Sequence, residues 1–378
     1  MNIPLRLTTT IFVSILFFSS CTYIPAPRNP MIGKRFEPAQ LKQALAKKPV
    51  NLRYANLSGM DLSGLNLQNA DLYGAYLYAC KFDNTTLDNA NLETADLSFT
   101  TIKQSSFKRT NLTSANLTQS RISSTNLSLA NFSDGLLKYA ILNNSNLESA
   151  NLENANLDLI TIRNSNLVGA HMKKVKIHGA IIENSDFKFS TIHQANLTRI
   201  QFIHSNFQGA SLSNSDISQS DFRQSDFRDA DLSNSKAIES NFSRSSLVGS
   251  KMNNSDFTAS VFDYASLQQA NMRESVFFEG QFRNADLSFA DLSGANFNDA
   301  RMIQANFENA IFALTQLKNA LLEKATFDNA IIFSSNFNKA DLDDASFRKA
   351  DLNQSRMEGA SLDDTDFTGA TNISPTTR

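Results

Sequence analysis

The sequence predicts an all-β solenoid, a square coil in which each side is five residues long. Three observations predict it. From Leu52 to Phe367 there are 64 consecutive positions five apart, and all carry Leu, Phe, Ile or Met except Ala237. Two residues before each of these centres lies a second position that is mostly small, as at Ala55, Ala90, Ser145, Ser220 and Ala340. All seven prolines fall outside residues 50–370.

No ordinary element has a period of five. In an α-helix, steps of five scatter the large residues around the whole circumference. In a strand, an odd step sends successive residues to opposite faces. If each block of five forms one short extended side and the chain then bends by about a quarter turn, four blocks close a coil and every fifth side chain meets on its axis. The small position fits the inward fold of the corner, with Val50, Met60, Leu65, Ile160, Val175 and Ile200 as larger exceptions. The position two after the centre is rich in Asn and Gly (Gly59, Asn69, Asn89, Asn154, Gly209), which tolerate the backbone angles of a tight bend. Proline is excluded because each coil must donate backbone N–H groups to its neighbour. Sixteen coils at the strand spacing of about 4.8 Å make a rod roughly 75–80 Å long.

Blocks such as Ala55-Asn56-Leu57-Ser58-Gly59, Ala70-Asp71-Leu72-Tyr73-Gly74 and Ala290-Asp291-Leu292-Ser293-Gly294 resemble the A(D/N)LXX unit of the pentapeptide-repeat proteins. The resemblance covers residues 50–370 and implies that family's right-handed quadrilateral β-helix. It says less about function, because one fold hosts several roles.

The ends read differently. Residues 1–21 supply a short n-region with one arginine, a largely apolar stretch from Thr8 to Phe18 that is too short to span a bilayer, and then Phe18-Ser19-Ser20-Cys21. This resembles a bacterial lipoprotein signal whose lipobox ends at a cysteine that is lipidated, here Cys21. Thr22 stands where an Asp would suggest inner-membrane retention, so the resemblance points to the outer membrane. Residues 22–36, with Pro25, Pro27 and Pro30, read as an extended tether. Residues 37–49 are expected to hold a capping helix running to about Lys47, with Pro38 near its first position and Phe36, Leu41, Ala44 and Leu45 turned to the first coil. Residues 371–378 are a polar tail.

Candidate chemistry is sparse. Cys80 falls on a small corner position and reads as a buried substitute for alanine. The histidines at 171, 178, 193 and 204 are close in sequence, but twenty residues per coil place them on three sides, so no metal site is expected. Carboxylates such as Asp61, Asp71, Asp231 and Asp291 repeat one position, which reads as solvated. An unbroken rod has no concave place for an acid/base pair, so neither enzyme activity nor a cofactor is expected.

A gyrase-binding DNA mimic, by resemblance to some family members, needs a strongly acidic rod, and the formal net charge is −2. Residues 22–60 are basic, residues 281–370 hold fourteen acids against eight bases, and the middle is mixed. No single-sign stripe is legible, which argues against mimicry and against nucleic-acid binding alike. The reading is a non-enzymatic rod of the bacterial envelope, joined to the membrane through a lipid anchor and serving as a spacer or protein-binding scaffold. The alternatives are the gyrase-binding mimic or an exported effector. A monomer is expected, with the acids of the last coil guarding its open end; a C-terminal homodimer is the competing state.

Overall fold

The structure is a computed structural model and describes residues 35–373. It is the quadrilateral β-helix that the repeat predicts. Parallel bridges link every residue before a centre to its equivalent twenty residues on, from Asn51↔Asp71 to Asp351↔Thr371, so residues 51–370 make sixteen coils of twenty. Side 1 of each coil is centred on Leu52 and its equivalents, side 2 on Leu57, side 3 on Leu62 and side 4 on Leu67. The centres from Leu52 to Met357 are buried; Leu362 and Phe367, in the last coil, are partly buried.

Most blocks dispose of their five N–H groups in one common way. The residue before the centre donates to the previous coil, as Asp71 does to Val50 O at 2.9 Å. The centre and the residue two after it donate to the next coil, as Leu52 does to Asp71 O (2.7 Å) and Tyr54 to Tyr73 O (2.9 Å). The small corner residue closes the bend onto its own coil, as Ala55 does to Leu52 O at 3.1 Å. The fifth N–H, after the centre, is taken by a side chain: Arg53 N–H donates to Asn51 Oδ1 at 3.2 Å, and Ser63 N–H to Asp61 Oδ1 at 2.9 Å. That bond explains the Asn and Asp of the repeat, because a short side-chain carbonyl mimics a turn of backbone. It also corrects the reading of this position as merely solvated: most of these side chains are partly buried and hold the wall.

The residue two after every centre, from Tyr54 to Gly369, has a positive φ. Side chains other than Gly or Asn therefore occupy the left-handed region at most corners, each costing energy that the surrounding ladder offsets. Three-residue strands form on two sides only. On side 3, β1 (Lys81–Asp83), β2 (Thr101–Lys103), β3 (Arg121–Ser123), β4 (Ile141–Asn143), β5 (Thr161–Arg163), β6 (Ile181–Glu183) and β7 (Gln201–Ile203) pair in register. On side 1, β8 (Ile311–Ala313) pairs with β9 (Ile331–Phe333). All nine begin at a residue other than Asn or Asp.

The helix α1 spans Pro38–Leu45, with Glu37 N–H bonded to Gln40 Oε1 at 2.7 Å. Phe36, Leu41, Ala44 and Leu45 pack on the first coil, and Phe36 N–H donates to Asn56 O at 2.8 Å. The helix stops two residues short of Lys47, since Pro49 disfavours helical backbone at Lys48. At the far end, Thr371 continues the ladder with Ala350 and Leu352.

Candidate functional site

Cys21, the sequence-predicted lipidation residue, lies outside the described residues, as do the rest of 1–34 and 374–378. Cys80 is buried, its thiol donates to Leu57 O at 3.0 Å, and burial pushes its pKa up to about 11. Such a thiol is a wall component, inert at neutral pH.

The structure brings no histidine cluster together. His171 and His193 lie on side 1, His178 on side 2 and His204 on side 3, each of His171, His178 and His204 bonded to a polar side chain one coil on. Among the described residues no group of three or more His, Cys, Asp or Glu is placed to hold a metal ion. A concavity of about 590 Å³ of mixed lining lies between α1 and the first coil, with Phe36, Leu41, Leu45 and Met60 beside Arg35 and Lys42 among others. Met60 and Leu65 are large for corner positions, and both are partly buried and packed on the core at this end of the rod.

Where the sides differ is in the outward residues. Sequence reading passed over two groups of apolar side chains at polar positions of the repeat. One comprises Ile311, Leu314, Ile331 and Phe333 on β8 and β9 and the corner beside them, each at least 37% exposed. The other lies on side 2 of the first six coils and its bordering corners: Tyr54, Phe99, Leu136, Tyr139 and Leu159 are exposed. Tyr78 meets Phe99 at 5.3 Å between ring centroids, and Arg53 lies 4.4 Å over the Tyr73 ring, itself 5.4 Å from Tyr54. The signal was available: each of the exposed residues is a large apolar one standing one before, one after or two after a centre.

A rod with an apolar axis and chemically distinct sides belongs to the class of solenoid proteins. The family model described as pentapeptide repeats (8 copies) matches residues 50–84, 75–113, 90–128, 125–162, 195–234, 240–277, 281–315, 310–348 and 340–371. The chain belongs to the pentapeptide-repeat family. Residues 163–194, between two matched stretches, include the block His171 to His178 with its three lysines.

Among solved structures, the chain is similar to HetL, a pentapeptide repeat protein involved in heterocyst differentiation regulation from the cyanobacterium Nostoc sp. strain PCC 7120. That likeness is 25% identical, covers 57% of this chain and 88% of that one, and has a TM-score of 0.32. QnrB1, a plasmid-mediated fluoroquinolone resistance protein, is 20% identical over 56% of this chain and 90% of that one, with a TM-score of 0.34. A pentapeptide repeat protein from the Arabidopsis thaliana thylakoid lumen is 24% identical over 26% of this chain and 63% of that one, with a TM-score of 0.14. No curated protein matches the chain.

Proposed function

We propose that this chain is a non-enzymatic, lipid-anchored rod of the bacterial envelope that serves as a spacer or a protein-binding scaffold. The observation that carries the reading is Phe18-Ser19-Ser20-Cys21, placed after a short apolar stretch and before a proline-bearing tether that leads into an unbroken repeat. A cysteine there, lipidated, becomes the membrane attachment, and lipoprotein maturation supplies the more than one acyl chain that stable anchoring needs. The rod then carries its outward side chains away from that point on a wall fixed by inter-coil hydrogen bonds.

Metabolic labelling with a fatty-acid analogue, read together with cell fractionation, tests the reading. Wild-type protein is expected to take up the label and partition with membranes, and Cys21→Ser to lose both. An unlabelled wild-type protein overturns the anchor. Within the same reading the soluble rod is a monomer, because Asp363 and Asp364 on the last coil are exposed and like charges would face each other across two such ends. Light scattering of the Cys21→Ser protein in low salt checks this; a stable dimer counts against it.

A further inference from the structure

Side 2 changes character along the rod. In its first eight coils the acids are tied into the wall: Asp96 accepts from Ser98 and Asn116, and Asp158 accepts the His178 N–H and pairs with Lys138 at 3.6 Å. Lys174, Lys176 and Arg199 stand exposed there with no carboxylate within 4 Å among the described residues. Asp134 is the one acid at the bordering corners of this stretch. These cations continue directly from the exposed apolar group of Phe99, Leu136, Tyr139 and Leu159. In coils nine to thirteen the same side and its outer corner carry Asp216, Glu239, Asp256, Glu279 and Asp299 against Lys236 alone.

From these observations we infer that side 2 of the first eight coils is a docking surface for an anionic phospholipid bilayer. The physical fit is threefold. The surface is one wall of a regular stack about 38 Å long at the strand spacing, long enough to lie along a bilayer. Its exposed groups are tyrosine, phenylalanine and leucine beside lysine and arginine, the combination that settles at the boundary of headgroups and acyl chains. Its free cations, Lys174, Lys176 and Arg199, gather in coils seven and eight, so anionic headgroups attract that end of the surface most. The acids farther along repel the same headgroups and lift the distal half of the rod away.

The chain's own exit supports the orientation. Arg35, the first described residue, lies over the corner between sides 2 and 3, its Nη2 3.6 Å from where a Cβ on Gly59 would sit. Phe99, Tyr139 and Leu159 occupy this same corner two, four and five coils on. The described chain thus begins beside this edge, and an anchor at Cys21 would be linked to the rod from here. That last point rests on the anchored-rod reading; the surface itself does not.

The test therefore uses the full chain carrying Cys21→Ser, which removes lipidation from the outcome. The chain has no tryptophan, so Leu159→Trp places a unique fluorophore on the proposed surface, and Phe289→Trp places one at the corner between sides 4 and 1, away from it. Vesicles of phosphatidylglycerol and phosphatidylcholine with brominated acyl chains should shift the emission of the Leu159→Trp protein to the blue and quench it, leaving that of the Phe289→Trp protein unchanged. Lys174→Glu, Lys176→Glu and Arg199→Glu together should weaken the response tenfold or more, as should vesicles of phosphatidylcholine alone. If the Leu159→Trp probe keeps the emission of a water-exposed indole, the inference is overturned, whether the vesicles are left unbound or are bound through another segment. So does an equal response from both probes overturn it, or one indifferent to the charge reversals. A protein ligand that shields the Leu159→Trp probe where vesicles do not would assign the surface to a protein instead.

Discussion

Between residues 52 and 182 the axis is leucine and isoleucine, interrupted by Phe82, Phe107, Phe132 and Met172, and most corners leading into sides 1 and 2 are alanine. Between 187 and 367 phenylalanine is the commonest residue on the axis, and over coils nine to eleven most corners are serine. In that second region the rings stack on their equivalents one coil on. Phe202, Phe222, Phe242, Phe262 and Phe282 lie 5.4, 4.9, 5.1 and 4.8 Å apart in succession, close to parallel. Rings on adjacent sides meet edge to face, as Phe222 and Phe227 do at 5.3 Å. Offset stacking at the coil spacing and edge contacts across the axis are both favoured ring geometries.

The corners differ more deeply than their size suggests. Most alanine corners close within their own coil, as Ala115 N–H does on Leu112 O at 3.0 Å; Ala195, with a serine one coil on, donates instead to Ser215 Oγ at 3.0 Å. Many serine corners close between coils. Ser215 N–H donates to Ser235 Oγ at 3.4 Å, Ser235 N–H to Ser255 Oγ at 3.1 Å and Ser255 N–H to Ser275 Oγ at 3.1 Å, a ladder running along the corner. Each hydroxyl donates in turn to a carbonyl below, as Ser235 does to Leu212 O at 3.0 Å and Ser255 to Leu232 O at 2.8 Å. The two regions teach that one small-residue position supports two hydrogen-bond plans on the same backbone path.

The largest expected effect asks whether the axis is dry throughout. Leu292→Asp places a carboxylate among apolar layers and should cost several kcal/mol, on the order of the penalty for burying an unpaired polar group; urea unfolding that leaves the midpoint unmoved would reverse the inward assignment. Next, Phe262→Ala, removing a ring sandwiched between Phe242 and Phe282, should cost about 3–5 kcal/mol, while Leu112→Ala falls nearer the lower end of the ~2–5 kcal/mol range for leucine. Equal losses would mean that the stacked axis is no better packed than the leucine one.

The corner plans separate by sign. Ser235→Ala leaves the Ser215 N–H and the Leu212 carbonyl without their partner and should destabilise by about 1–3 kcal/mol. Ser250 closes as an alanine does, its N–H on Leu247 O at 3.1 Å, and its buried hydroxyl has no partner among the described residues. Ser250→Ala should therefore be neutral or stabilising by thermal melting, and a loss equal to that of Ser235→Ala would abolish the distinction.

The smallest effect concerns the distal end. Thr368 and Arg348 hold the Asp366 carboxyl down at about 2. A carboxyl depressed in the folded state contributes stability above its ordinary value that is lost as pH falls through the depressed one. Asp366→Asn should thus lose protection of the last coil relative to wild type near neutrality, and the difference should fade between pH about 4 and about 2. Amide exchange at the last coil across that range checks the sign.

The period of five by itself determined the square coil, the apolar axis, buried from Leu52 to Met357, and the special backbone two residues after each centre. It could do so because a strict repeat fixes the direction of every side chain once the number of blocks per coil is known. The same register put the four histidines on three sides and Cys80 in a wall. Only the tertiary structure decided how each N–H is satisfied. The Asn51 type of side chain bonds two residues along its own chain, which looks in sequence like any exposed polar residue. A serine ladder bonds residues twenty and twenty-three apart, and nothing in one block distinguishes Ser235 from Ser250. The apolar stretch of side 2 was likewise spread over Tyr78, Phe99, Leu136, Tyr139 and Leu159, which become one surface because coils stack at the strand spacing and bring residues sixty or eighty apart within a few coils of each other.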